Sequence, residues 1–66
     1  MERNLIKWMQ WESEPLEVRE VCQIIGEAAR ELNRKLQESP EKTLMMRHLI
    51  RSYDEAKRAV QAPFKP

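Results

Sequence analysis

Residues 36–42 read Leu36-Gln37-Glu38-Ser39-Pro40-Glu41-Lys42, and the fold turns on the Ser39-Pro40 step. A serine hydroxyl can accept from the unpaired N–H groups of a helix start, and a proline in the first turn has no N–H to leave unpaired. A helix therefore starts near residue 40. Before it, Val18, Val21, Cys22, Ile25, Ala28, Ala29, Leu32 and Leu36 recur at three- and four-residue steps, one stripe of an α-helix. After it, Leu44, Met46, Leu49, Ile50, Tyr53, Ala56, Lys57 and Val60 do the same, with the aliphatic stem of Lys57 completing the stripe. A second serine–proline start, Ser13-Glu14-Pro15, opens the first stripe. The spacing predicts helices over residues 14–37 and 40–61, the second stopped by Pro63. Only Glu38-Ser39 would link them, so they must fold back as an antiparallel hairpin of matched arms, each about 30–35 Å long.

Working outward, residues 2–12 hold Leu5, Ile6, Trp8, Met9 and Trp11 and form the third segment, a short N-terminal helix. On it Leu5, Trp8 and Met9 share a face, while Ile6 and Trp11 lie off it. So short a helix is marginal alone and must dock on the hairpin or on another chain. The tail Ala62-Pro63-Phe64-Lys65-Pro66 is expected to fray. Gly26 interrupts the first stripe at a cost of about 1 kcal/mol relative to Ala; close approach of another helix and tolerated drift both account for it.

The chain has 66 residues, so it holds one all-α domain. A core of that size seldom supplies more than about 3–5 kcal/mol, and small domains usually add a disulfide, a metal or association. Cys22 is the one cysteine and His48 the one histidine, which removes an internal disulfide and leaves no zinc ligand set. The apolar arcs are also broader than a single hairpin contact covers. Both observations predict a homo-oligomer with a shared core.

Charged residues make up 35% of the chain, yet the net charge is +1, which argues against a DNA- or RNA-binding protein with a strongly basic face. Apolar residues make up 41% and are periodic, which argues against disorder. No apolar run reaches the roughly 20 residues of a membrane span, and the N-terminal stretch is too short for a signal peptide. A single unpaired cysteine fits a cytoplasmic protein.

Catalysis needs a nucleophile with a base, a metal, or two carboxylates of separated acidity. Cys22 lies on the apolar stripe and reads as a buried thiol; His48 lies off it beside Arg47; Glu27 and Glu31 have Arg30, Arg34 and Lys35 as partners. The expectation is a protein that is not an enzyme and needs no cofactor. The cations carry more information. Arg30, Arg34 and Lys35 near the end of the first helix, with Lys42, Arg47 and Arg51 in the second, would make the hairpin tip locally basic. Ordinary helix-end complementarity explains such a set, and so does an anion site, to which Ser39 and Thr43 would add hydroxyls. Glu41 opposes a phosphate on that helix start. Trp8 and Trp11 read as core or interface, or as a platform on which a base stacks. The candidate ligand-binding residues are Trp8, Trp11, Arg34, Lys42, Thr43 and Arg47.

The second helix starts Glu41-Lys42-Thr43-Leu44-Met45-Met46 and continues through Leu49, Tyr53, Ala56 and Val60. It resembles the second helix of a phage hairpin family that opens with a Ser-Arg-Glu-Lys-Ser-Leu-Ala-like run. The preceding helix, with Gly26-Glu27-Ala28-Ala29-Arg30-Glu31-Leu32, is similar as well. The family is the phage anti-CBASS sponge proteins, whose hairpin is shared with some anti-Thoeris proteins, and the resemblance covers about residues 18–61. It implies a homo-oligomer, commonly a hexamer, that sequesters cyclic di- or trinucleotides in the cytoplasm of the infected cell without cleaving them. Tyr53 stands where the family often has Trp, and Lys57-Arg58 stand near small residues. Only Glu41, Lys42, Thr43 and Leu44 carry over, as a shared structural start. A hairpin that docks a partner protein, adaptor or antitoxin-like, is the alternative function.

Overall fold

The computed structural model describes residues 5–61. They are helical without strands: two short 3-10 turns, Leu5–Trp8 and Trp11–Ser13, then α1, Leu16–Lys35, and α2, Pro40–Gln61. The hairpin has the expected form, and α2 has the expected bounds. The first helix starts two residues later than residue 14 and ends two before residue 37, so Leu36–Ser39 make the link.

The physical reason lies in the two serines. Ser39 caps α2 as its sequence predicts: its Oγ accepts from the Lys42 N–H at 3.0 Å. Ser13 does not cap α1. Its hydroxyl donates to the Gln10 carbonyl at 3.1 Å, closing the preceding turn, and α1 is entered from an extended Pro15 without a side-chain cap. The Arg19 guanidinium instead donates to the Glu14 carbonyl from Nε and Nη2, at 3.3 and 3.2 Å.

The N-terminal segment departs most from expectation. A continuous helix over 2–12 is replaced by the two turns, with Met9-Gln10 extended between them; residues 2–4 and 62–66 lie outside the described residues. The break exchanges Trp8 and Trp11 relative to the expected faces, while Met9 stays inward as expected. Met9 and Trp11 are buried, while Trp8 stays 57% exposed. An unbroken helix would leave Trp11 off its docking face; two turns with an extended joint let Met9 and Trp11 both point at the hairpin.

The core joins all three parts: Met9 and Trp11 from the strap-like segment, Val18, Cys22 and Ala29 from α1, Met46 and Tyr53 from α2. Gly26 belongs to the same layer. A Cβ there would overlap the Trp11 ring carbons, and the Met9 carbonyl lies 3.2 Å from the same point. The close approach that the glycine permits is therefore that of a tryptophan ring and not of a helix. The other edge of the ring layer is closed by Arg30, whose guanidinium stacks 3.9 Å from the Trp11 ring centroid and pairs with Glu12 at 3.0 Å.

Lys42 ties the turn. Its side chain is buried, and Nζ donates to the carbonyls of Asn33 and Leu36, both at 2.9 Å, and to the Glu38 carboxylate at 3.2 Å. Two of its three donors are thus spent on carbonyls at the end of α1, where helical partners are lacking and the helix dipole favours a cation, and the third on the Glu38 carboxylate of the link.

Candidate functional site

Local helix spacing sets up the site. On α2, Arg47, Ile50, Arg51, Asp54 and Lys57 recur at three- and four-residue steps, so they line one side of the helix. The strap runs over that side. Trp8 stands at its border and closes, with Glu14 and Tyr53, a groove of about 410 Å³. Small-molecule sites commonly measure about 300–1,000 Å³.

The floor of this groove is a fixed polar cluster. The Tyr53 hydroxyl donates to Glu14 Oε2 at 3.2 Å, and Lys57 Nζ lies 3.3 Å from the same oxygen. Burial, and next the Glu14 carboxylate, push the Tyr53 phenol above its ordinary range. The Cys22 thiol donates to the Tyr53 carbonyl at 3.8 Å; burial raises its pKa, so it stays a protonated thiol at neutral pH. These groups anchor the end of the strap to α2, and α2 to α1.

The rim is different. Trp8 offers an exposed ring with Lys7 Nζ 5.6 Å from its centroid. Arg47 is exposed and, among the described residues, forms no ion pair. Arg51 holds Glu55 only at 3.7 Å, and Asp54 pairs with Arg58 at 2.9 Å. The Trp8 ring thus lines the same groove as two exposed guanidinium groups. That combination accepts a planar aromatic ring and an adjoining anion.

The six residues singled out in the sequence divide three ways. Trp8 and Arg47 meet in this groove. Trp11 and Arg34 line a second, shallower depression with Glu27, Arg30 and Glu31. There the Trp11 ring is 6% exposed and covered by Arg30, and Arg34 is bonded to Glu31 at 2.6 Å, which holds that carboxyl's pKa below its ordinary value. Lys42 and Thr43 line neither: Lys42 is 7% exposed and holds the end of α1, and Thr43 is half-buried with its N–H on the Ser39 carbonyl at 3.1 Å. The basic hairpin tip does not form as one patch, because Arg30, Arg34, Lys35 and Lys42 each take a partner within the chain.

Glu14, Tyr53, Asp54 and Lys57 complete the groove without having been singled out for it. The spacing of Arg47, Arg51, Asp54 and Lys57 along one side of α2 was a usable signal; the arrival of Trp8 and Glu14 was not, because it depends on the path of the strap. Among the described residues no three His, Cys, Asp or Glu side chains converge as a metal site requires, and no helix is long and apolar enough to cross a membrane. Comparison of the chain with known protein families, with curated proteins and with solved structures finds no match.

Proposed function

We propose that this protein binds and sequesters a cyclic di- or trinucleotide, leaves it chemically intact, and so counters a nucleotide-signalled host defence. The observation that carries the reading is the Trp8 groove: an exposed indole lining one groove with the exposed arginines Arg47 and Arg51. A base stacks on the indole, a contact that tolerates any base. The adjoining phosphate takes charge-assisted hydrogen bonds from the arginines. Both carboxylates of the groove are engaged, Glu14 by Tyr53 and Lys57 and Asp54 by Arg58, which suits retention of the ligand. A homo-oligomer belongs to the same proposal. It supplies the buried area that a 66-residue chain lacks, and it repeats the groove so that a symmetric ligand can meet it more than once. The sponge resemblance of the hairpin agrees with this chemistry.

The test is a titration with cyclic di- and trinucleotides, followed by Trp fluorescence and by melting temperature. Binding should quench or shift the Trp8 emission, and Trp8→Leu should remove that response while the buried Trp11 keeps its own. Arg47→Ala should weaken binding about tenfold to a hundredfold, the worth of a hydrogen bond to a charged group. Ligand released by heating should be unchanged. If none of these nucleotides raises the melting temperature at hundredfold excess, the reading is wrong; capture of a protein partner in their place would favour the adaptor.

A further inference from the structure

The strap covers one side of the hairpin, and the other side is bare. On α1 that bare side carries Val21, Ile24, Ile25, Ala28 and Leu32. Ile24, 71% exposed, is the most exposed large apolar side chain among the described residues. On α2 it carries Leu44, Met45, Leu49, Ser52 and Ala56, several of which line a shallow apolar depression with Glu41 and His48. At about 100° per residue, these α2 positions lie half a turn from those lining the Trp8 groove. We propose that this face binds the same face of a second copy of the chain, α1 against α1 in antiparallel sense.

Three features select a second copy as the occupant. The first is size. The apolar centre of the face, Val21 to Leu32, runs about 17 Å along α1, and the flanking Glu17 and Lys35 extend it to about 27 Å, on a molecule whose shorter dimensions are 22 and 18 Å. That footprint, about 600 Å² in projection, is of the order a stable contact uses on each side, about 800 Å² of accessible surface.

The second is spacing. Val21, Ile24 and Ala28 stand at heptad intervals, the pattern by which one helix seats along another. Glu17 lies four residues before this run and Lys35 seven after it, eighteen residues apart and so five whole turns along one line of α1. A two-fold axis crossing α1 at residue 26 sets Ile24 against Ala28 of the second copy and Glu17 against its Lys35. Lys35 already holds Glu31 at 3.4 Å, and an ammonium has donors left for another carboxylate. The same axis sets Val21 against Glu31 of the second copy, whose carboxylate keeps Arg34 and Lys35 of its own chain as partners.

The third is agreement between the helices. Tyr53 lies level with Cys22 and Lys42 with Asn33, so the level of residue 26 on α1 meets α2 at about residue 50. The side of α2 that the strap leaves uncovered, half-buried Met45, Leu49 and Ala56 with exposed Ser52, is centred there as well. One axis therefore makes both helices self-complementary, Leu49 meeting Ser52 and Met45 meeting Ala56 across the pair. The Trp8 grooves face outward on opposite sides of such a pair and stay open.

The inference rests on the self-association proposed above and not on the nucleotide. Its test is the mass of the full-length chain in solution, by sedimentation equilibrium from micromolar to millimolar concentration. Wild type should exceed 7.9 kDa. Ile24→Arg changes an exposed side chain, so its circular dichroism should match wild type while its dissociation constant rises about a hundredfold or more, because the charge would be left unpaired in an apolar contact. Glu17→Lys and Lys35→Glu should each weaken association, and the double exchange should restore it, which reads the antiparallel sense. A wild type that stays monomeric to millimolar concentration overturns the proposal. So does an Ile24→Arg chain that associates as wild type does, or a double exchange weaker than either single one. Because no nucleotide enters these measurements, failure here and failure of the nucleotide reading are told apart.

Discussion

The two sides of the hairpin are built from the same two helices and end in opposite states. On the strap side, Gly26 admits the Trp11 ring, Arg30 covers it, and the Tyr53–Glu14–Lys57 cluster locks the strap down. On the other side Val21, Ile24 and Ala28 meet solvent. The difference is one of partners and not of hydrophobicity. The strap supplies one apolar layer, and a chain with a single strap can close a single side. What closes a side also sets how strongly a mutation there acts, and that can be measured.

The largest effect should come from the closed side. Trp11→Ala removes the ring that bridges strap and α1, and should destabilise the fold by about 3–5 kcal/mol, the usual cost of emptying an aromatic site. Chemical denaturation will show it as a lowered midpoint, with Trp8 emission as the remaining indole signal. Lys42→Met should come next, at about 1.5–3 kcal/mol, because it strips a charged donor from the Asn33 and Leu36 carbonyls and leaves them short of partners. The loss should concentrate at the end of α1, where amide hydrogen exchange of the last turn would speed up.

Gly26→Ala sharpens the comparison. Helix propensity alone would favour alanine by about 1 kcal/mol. Overlap with the Trp11 ring should reverse the sign and cost about 1–3 kcal/mol. In a Trp11→Ala background the same change should turn neutral or stabilising, because the two sites are in contact and their effects cannot add. Additivity would place the ring elsewhere.

Tyr53 gives a smaller effect that depends on pH. Its folded-state pKa is raised, by burial first and the Glu14 carboxylate next. The folded chain therefore holds the phenolic proton more tightly than the unfolded chain does. Its contribution to stability is complete below the ordinary tyrosine pKa of about 10 and declines as pH rises beyond it. As the chain has one tyrosine, phenolate absorbance reports this group directly. Tyr53→Phe should cost about 1 kcal/mol at neutral pH and should melt with a flatter pH profile above 10.

The smallest effect belongs to the bare side. Ala28→Lys should change the stability of the isolated chain by no more than about 0.5 kcal/mol, as surface substitutions do. If copies pair through this side, wild type should melt at a temperature that rises with concentration, and Ala28→Lys should abolish that rise. A large loss of stability in the dilute variant would mean that the side is closed within one chain.

These contrasts separate what could be read along the chain from what could not. The two long helices were legible because their apolar positions repeat at the helical period and because Ser39-Pro40 leaves room for no other link; helix formation and the hairpin are local, and local pattern decides them. The N-terminal helix was misread for a related reason. Leu5, Trp8 and Met9 fit a helical stripe, but burial of Met9 together with Trp11 requires the chain to break after Trp8, and a contact with Gly26 and Arg30 won over local periodicity. The site followed the same division. Trp8 and Arg47 could be named from residue type, whereas only the path of the strap brought them together with Glu14 and Tyr53. Likewise, charge counts could not show which cations were already spent: Lys42 reads as a surface lysine, and becomes the cap of α1 because the turn carries it under the last carbonyls. Residue spacing determined the two long helices of this protein, since each is decided within its own few turns; the breaks in the N-terminal segment and the partners of every element were decided by tertiary structure, since a contact between distant residues is chosen by space and not by sequence separation.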